Sequence, residues 1–211
     1  MTQADRRRAE ILQAAVACFR RSGFHQTSMQ EICTAVGMSP GSLYRYFASK
    51  DDMILALVEA ERGRTLAFFA ELEVAGDIIP ALLDLADRFY WQQVDLGLFA
   101  LTADIASECR VNPKIFEACE RIEADAGARL AAVLQRGQRS GQIDPELDVP
   151  STVQILLALH DGASIRQIFS NTPAGALAKA TLRRLVVRFL RPAVLHPVAN
   201  DHSQPLHGGQ P

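Results

Sequence analysis

Apolar residues recur every three or four positions along almost the whole chain, with no stretch of strand-like alternation, so the elements are helical throughout. Ile11, Leu12, Ala15, Cys18 and Phe19 mark one face of a first helix, which Gly23 stops. Thr27 or Ser28 is placed to cap a second helix, with Gln30 or Glu31 at capping-box spacing. Met29, Ile32, Cys33 and Val36 stand at i, i+3, i+4 and i+7 and build a single buried stripe. Gly37 follows where a helix ends in a left-handed residue. Ser39 then caps a third helix with Pro40 in its first turn. Ser49, with Asp52 three residues on, caps a fourth that runs over 49–74, and Met53, Ile54, Leu57 and Val58 open its apolar face. Asp5 to Arg8 precede the first helix and offer either a basic arm or a solvated end.

Further helices are expected over 77–96, 98–109, 112–139, 151–169 and 174–191. The stretch 140–150, with Gly141, Pro145 and Pro150, reads as a loop. Residues 193–211 have little periodicity and read as a flexible tail. The expected fold class is therefore all-α. Residues 1–50 form a three-helix N-terminal unit and 51–192 a larger helical body.

Hydrophobic residues make up 48% and charged residues 22% of the 211, which fits a folded globular chain and not a disordered one. The net charge of −2 conceals an uneven distribution. Residues 1–50 carry seven Lys/Arg against three acids, a balance of +4, and the remainder carries fifteen against twenty-one, a balance of −6. A basic head on an acidic body points to different partners for the two parts. No uncharged apolar run nears the roughly 18 residues of a membrane span, so no membrane partner is expected. The polar, basic N-terminus leads into an amphipathic pattern and not a signal-peptide core, so the expected location is cytoplasmic. Cys18, Cys33, Cys109 and Cys119 show neither a CxxC pair nor zinc-ligand spacing. All four are expected as core thiols, with redox sensing by one of them the competing reading. No metal or cofactor is implied. The five histidines are dispersed, and the motifs of serine hydrolases, zinc hydrolases and phosphate loops are missing, so no enzyme is expected.

The chemistry sits in the second and third helices. Two short helices joined by Gly37-Met38 have helix-turn-helix spacing, which lets the second enter a DNA major groove. Leu43 and Phe47, four apart, face the core. Ser39, Gly41, Ser42, Tyr44, Arg45 and Tyr46 remain for the other faces. Gly41 and Ser42 are small enough for close approach to the groove, and the tyrosines can donate to phosphates. Lys50, in the first turn of the next helix, can hold a phosphate together with free backbone N–H groups. On these residues alone, an all-helical interaction or scaffold protein without DNA binding remains the alternative.

The stretch GFHQTSMQEICTAVGMSPGSLYRYFASKDDM (23–53) resembles the N-terminal domain of TetR-family transcriptional repressors. The resemblance covers about residues 8–58 and rests on Gly-Phe, Thr-Ser, Ile32, Gly37, Ser39-x-Gly41-x-Leu43-Tyr44-x-Tyr46-Phe47 and Ser49-Lys50, with Met53 at the final apolar position. Arg110 to Phe116, RVNPKIF, is similar to a turn frequent in that family. The resemblance implies a homodimer bound to a palindromic double-stranded operator and released by a small-molecule effector. It implies that Thr27 and Ser28 touch phosphate, that Ser39, Gly41 and Ser42 face the groove, that Tyr44 and Tyr46 contact backbone and base edges, and that Lys50 grips a phosphate. Arg45 either reads a guanine or points to solvent.

Reading a palindrome requires a two-fold interface. Ile155, Leu159, Gly162, Ala163, Leu182, Leu185, Val186 and Phe189 on the last two helices are the candidates for it, against the alternative that they complete the monomer core. A ligand-binding cavity in the body would be apolar with few polar groups. Phe68, Phe69, Leu72, Trp91, Phe99 and Phe116 are candidates for its lining, with Thr102, Glu108 and His160 as polar contacts. Plain core packing is the competing reading for each. The aromatic supply suggests a hydrophobic effector.

Overall fold

The computed structural model describes residues 2–96, 99–168 and 176–192, with side chains described outside 90–100 and 164–179. The described residues form helices and turns without strands. The helices are α1 (Gln3–Ser22), α2 (Met29–Val36), α3 (Pro40–Tyr44), α4 (Lys50–Glu73), α5 (Ile78–Leu96), α6 (Phe99–Cys109), α7 (Pro113–Arg139), α8 (Val149–Ile168) and α9 (Ala176–Leu190). The expected tail lies outside the described residues.

Local chemistry sets most of the boundaries. Ser28, Ser39 and Ser49 each accept a hydrogen bond from the backbone N–H three residues on, which satisfies a donor that the first helical turn leaves open. Gly37 ends α2 in the left-handed region at φ 69°, a conformation that costs other residues more. One sequence expectation is corrected at the N-terminus. Asp5 to Arg8 are no arm ahead of α1 but lie inside it, because Thr2 and Asp5 cap each other reciprocally and start the helix at Gln3. A second correction concerns Glu31. Its backbone N–H bonds to Ser28, but its carboxylate binds Arg21 and Ser22 across the α1–α2 junction and does not close a capping box.

Among the described residues two hydrophobic clusters hold the helices together. The first joins Ile11, Ala15 and Phe19 of α1, Ile32 and Cys33 of α2, Leu43 and Phe47 at α3, and Met53, Ile54 and Val58 of α4. It continues into Leu101, Ile115 and Ala118 of α6 and α7, so the N-terminal unit shares its core with the body. The second cluster gathers Leu72, Ile78, Leu83, Leu130, Leu134, Ile143, Val153, Val186 and Leu190.

Helices α4 and α7 link the two clusters and run parallel. Glu59 meets Arg121, Arg62 meets Asp125, and Glu73 meets Arg129. At the far end Arg136 donates to the carbonyls of Leu72, in the last turn of α4, and Ala75, just beyond it. At 24 residues, α4 is about 36 Å long, so it reaches from the N-terminal unit well into the body.

Candidate functional site

The exposed surface of α2 and α3 is assembled on a rigid base. Leu43 and Phe47 are both buried, as their four-residue spacing predicts, and they fix the inner side of α3. The Arg8 guanidinium stacks over the Phe47 ring at 4.1 Å and donates to the Tyr46 carbonyl at 2.9 Å. This anchor joins α1 to the end of α3 across 38 residues, a separation at which no local pattern signals it.

On the outer side stand Ser28, Ser39, Gly41, Tyr44 and Arg45, all exposed, with Ser42 and Tyr46 half-buried. Tyr44 is 51% exposed, a large share for an aromatic side chain with nothing local to cover it. Ser39 and Ser42 hydroxyls hydrogen-bond each other at 2.9 Å. A Cβ added at Gly41 would meet nothing within 4 Å, so no internal contact requires glycine there. Gly41→Ala should therefore leave the melting temperature unchanged or raise it, since alanine favours a helix by up to about 1 kcal/mol. If a groove approaches this face, the same change weakens DNA binding by about 1 kcal/mol, roughly fivefold. Thermal melts and binding titrations on one preparation separate the two.

Thr27 differs from its expectation. It is 1% exposed, and its hydroxyl donates to the Gly23 carbonyl at 2.8 Å. Its side chain braces the α1–α2 turn and does not face outward. Lys50 is also tied to that turn: its ammonium donates to the carbonyls of Phe24 at 2.6 Å and His25 at 3.1 Å and lies 4.6 Å from the Phe24 ring centre.

The same turn receives α6. Asp104 accepts from the Phe24 backbone N–H at 3.2 Å. Glu108, expected near a ligand, is brought here instead. It is 5% exposed, and its Oε1 lies 3.1 Å from His25 Nε2 without making a hydrogen bond. A little further on, Asn112 caps α7 and donates to Asp51 at the start of α4 at 2.9 Å. The turn after α1 is thus the point where α4 and α6 both grip the N-terminal unit.

In the body, Phe68 of α4, Phe89 of α5 and His160 of α8 form an edge-to-face chain with 5.1 Å between successive ring centres. Phe69 is half-buried beside the same second cluster, and Leu72 is buried within it. Phe116 and Thr102, also named as candidates, are exposed. Trp91 and Phe99 lie outside the described side chains. Burial holds the His160 imidazole below its ordinary range, against the opposing pull of Asp161 and Glu61. The folded chain then binds fewer protons here than the unfolded chain. The resulting stability is present above the unfolded value, about pH 6.5, and is lost as pH falls below it toward the lowered folded value. His160→Phe should flatten the fall in melting temperature between about pH 7 and 5.5, which melts at matched ionic strength will show.

Of the interface candidates, Ile155, Gly162 and Leu185 are exposed, while Leu159, Ala163, Leu182 and Phe189 are half-buried. Val186 is corrected: it is buried in the second cluster beside Leu190, because it stands on the inward side of α9, about 100° around the helix from Leu185. The cysteines divide as well. Cys18 and Cys33 are core thiols, but Cys109 and Cys119 are half-buried with their sulfurs 3.2 Å apart. Ten residues of spacing across the α6–α7 turn hide that pairing from any short motif. Among the described residues no cluster of three metal-ligating side chains occurs.

A basic N-terminal helix-turn-helix unit, core-fused to an all-helical body, defines a DNA-binding regulator of the kind that couples a reading head to a separate helical domain. Residues 11–57 match the model of bacterial regulatory proteins of the tetR family, and residues 91–191 match the C-terminal model of BetI-type transcriptional repressors. The chain belongs to the TetR family of transcriptional regulators. It is 29% identical over 165 residues to the transcriptional regulator UidR of Escherichia coli K12, covering 76% of this chain and 81% of UidR. Among solved structures it is similar to Salmonella enterica GusR, at 28% identity and TM-score 0.74, covering 90% of this chain and 98% of GusR. The Bacillus subtilis regulator FadR, solved in complex with stearoyl-CoA, shares the fold at 21% identity and TM-score 0.72, covering 87% of this chain and 99% of that one.

Proposed function

We propose that this chain is a cytoplasmic, ligand-responsive repressor that binds a palindromic DNA operator as a homodimer and is released by a small hydrophobic effector. It acts by binding and not by catalysis. The observation that carries the reading is the outer face of α3. Small and hydroxyl-bearing residues (Ser39, Gly41, Ser42) stand beside exposed Tyr44 and Arg45, on a helix whose inner side is locked by Leu43, Phe47 and Arg8. Ser28, at the open N-terminus of α2, and Tyr46 complete the phosphate-facing set. Lys50 already uses two of its three N–H donors on carbonyls, and the third is left for a phosphate. Thr27 serves this surface by holding the turn beneath it.

We infer an effector site beside Phe68, Phe69, Phe89 and His160, where three helices converge on aromatic rings, with Trp91 and Phe99 close in sequence to that region. That FadR of the same fold was solved with stearoyl-CoA supports a body of this kind as a holder of molecules with a long apolar chain. Effector binding shifts a two-state dimer toward a head spacing that no longer fits successive major grooves. Coupling of about 1–3 kcal/mol weakens operator binding roughly 5- to 150-fold.

Anisotropy titration of a labelled duplex carrying the DNA that flanks its own gene tests the reading. Affinity should fall steeply with salt as counterions are released. Lys50→Ala should weaken binding and lower the salt slope by about one. A folded protein without salt-dependent affinity for DNA returns the reading to a helical interaction protein. An unchanged slope in Lys50→Ala confines that residue to bracing the turn.

A further inference from the structure

The feature that DNA reading and effector binding leave unused is the thiol pair. Cys109 is the last residue of α6 and Cys119 stands two turns into α7, with only Arg110 to Asn112 between the helices. Their sulfurs hydrogen-bond at 3.2 Å, while the other two cysteines are sealed in the first core. Disulfide formation needs the sulfurs to close to about 2.05 Å, a movement of roughly 1.2 Å. Two half-buried thiols facing each other across the α6–α7 junction can make that movement, and no disulfide framework elsewhere competes for them.

We propose that Cys109 and Cys119 are an oxidisable dithiol that closes to a disulfide on exposure to a hydroperoxide, and that closure lowers the affinity for DNA. The second half rests on the DNA-binding reading above. Cys109 attacks one peroxide oxygen: the O–O bond breaks, the sulfur becomes a sulfenic acid, and the other oxygen leaves as an alcohol or, from hydrogen peroxide, as water. Cys119 then attacks the sulfenic sulfur: the S–S bond forms, the S–O bond breaks, and water leaves with the thiol proton. Two thiols lose two electrons and the peroxide gains them.

The order follows from the surroundings. Burial first, then the hydrogen bond to Cys109, push the Cys119 thiol up to about 12, so it stays protonated while Cys109 attacks. Closure reaches the head because Glu108 and Asp104 precede Cys109 on the same helix and touch His25 and Phe24. Pulling the end of α6 toward α7 moves the grip on the α1–α2 turn, from which α2 and α3 start.

Hydrogen peroxide treatment of the full chain, followed by non-reducing tryptic mapping, decides the chemistry. The segment 89–110 should appear joined to 115–121, two hydrogens lighter than the separate peptides. Dithiothreitol should reverse it, and Cys109→Ser or Cys119→Ser should abolish it, while Cys18 and Cys33 remain thiols. Separate peptides after oxidation, a sulfinic acid at Cys109 without linkage, or linkage only between copies would overturn the dithiol. Oxidised wild type should then bind the duplex roughly 5- to 150-fold more weakly than reduced wild type, with peroxide-treated Cys119→Ser unaffected. Equal affinity of linked and reduced protein overturns the regulatory half. Failure of the reduced protein to bind DNA overturns the repressor reading and the regulatory half together, and leaves the mass measurement to judge the thiol pair.

Discussion

Phe47→Ala should cost about 3–5 kcal/mol of stability and lose DNA binding in the same step. The ring is buried among α1, α3 and α4, so its removal leaves a cavity that five-residue α3 cannot collapse to fill. A helix that short has no stability of its own and exists because its neighbours hold it. Leu43 and Phe47 are its inner contacts, and Arg8 stacks on the same ring. For a chain of this length the loss corresponds to a fall in melting temperature of about 6–20 °C. Phe47→Leu keeps most of the volume and should cost under about 1.5 kcal/mol. Calorimetry and binding titrations on both variants check the pair. If Phe47→Ala melts like the wild type, the first core is not what positions α3.

The sequence made the capped surfaces of this head legible because capping is local chemistry. Ser28, Ser39, Ser49 and Gly37 each act through atoms three or four residues away, and all four behave as their spacing predicts. The inward turn of Leu43 follows from helical period; Phe47 stands past the end of α3 at Tyr44 but joins it because its N–H still bonds the Leu43 carbonyl. What stayed hidden was contact across distance. Nothing in the neighbourhood of Thr27 says that its hydroxyl is consumed by Gly23, since a Thr-Ser pair ahead of a helix caps with either residue. The choice fell to Ser28 because Thr27 was drawn into the turn's interior. Arg8 on Phe47, Asp104 on Phe24, and Cys109 against Cys119 each join residues whose separation is set by the tertiary packing of α1, α6 and α7. Thr2 and Asp5 were the exception. A Thr three residues ahead of an Asp has capping-box spacing, and that local chemistry starts α1 at Gln3.

The opposite charges of head and body acquire a structural sense from α4 and α7. Three acidic side chains of the body are engaged along this shaft, Glu59, Glu73 and Asp125, each facing an arginine of the neighbouring helix. Exposed pairs of this kind contribute little singly, about 0–1 kcal/mol, but a row of them in register resists sliding of one helix past the other. In the proposed mechanism a shift at the body end of α4 would reach Lys50 and Asp51 as displacement of the whole rod. Lys50 holds the carbonyls of Phe24 and His25, and Asp51 holds Asn112, so such a displacement moves the turn that carries α2.

Ile155→Arg combined with Leu185→Arg should convert the protein to a monomer at micromolar concentration and weaken binding to a palindromic duplex by roughly 10²–10⁴-fold. Both residues are large, apolar and about half exposed, at 45% and 50%, on the outer sides of α8 and α9. Neither serves the second core, unlike Val186, so charge at these positions should leave the monomer folded. Gly162 lies on α8 with nothing within 4 Å of an added Cβ, which leaves room for the close approach of a second copy. The large effect on DNA binding follows from linkage between the two heads. Once one head is bound, a joined partner meets its half-site at an effective concentration near millimolar, and a free monomer does not. The half-sites must lie about one DNA turn apart, roughly 34–36 Å, so the two copies must be held rigidly as well as together. Sedimentation, circular dichroism and titration on whole and half operators separate the outcomes. The double variant should bind a half-site as the wild type does and lose the advantage of the full palindrome. A variant that remains dimeric would move the interface off this face of α8 and α9.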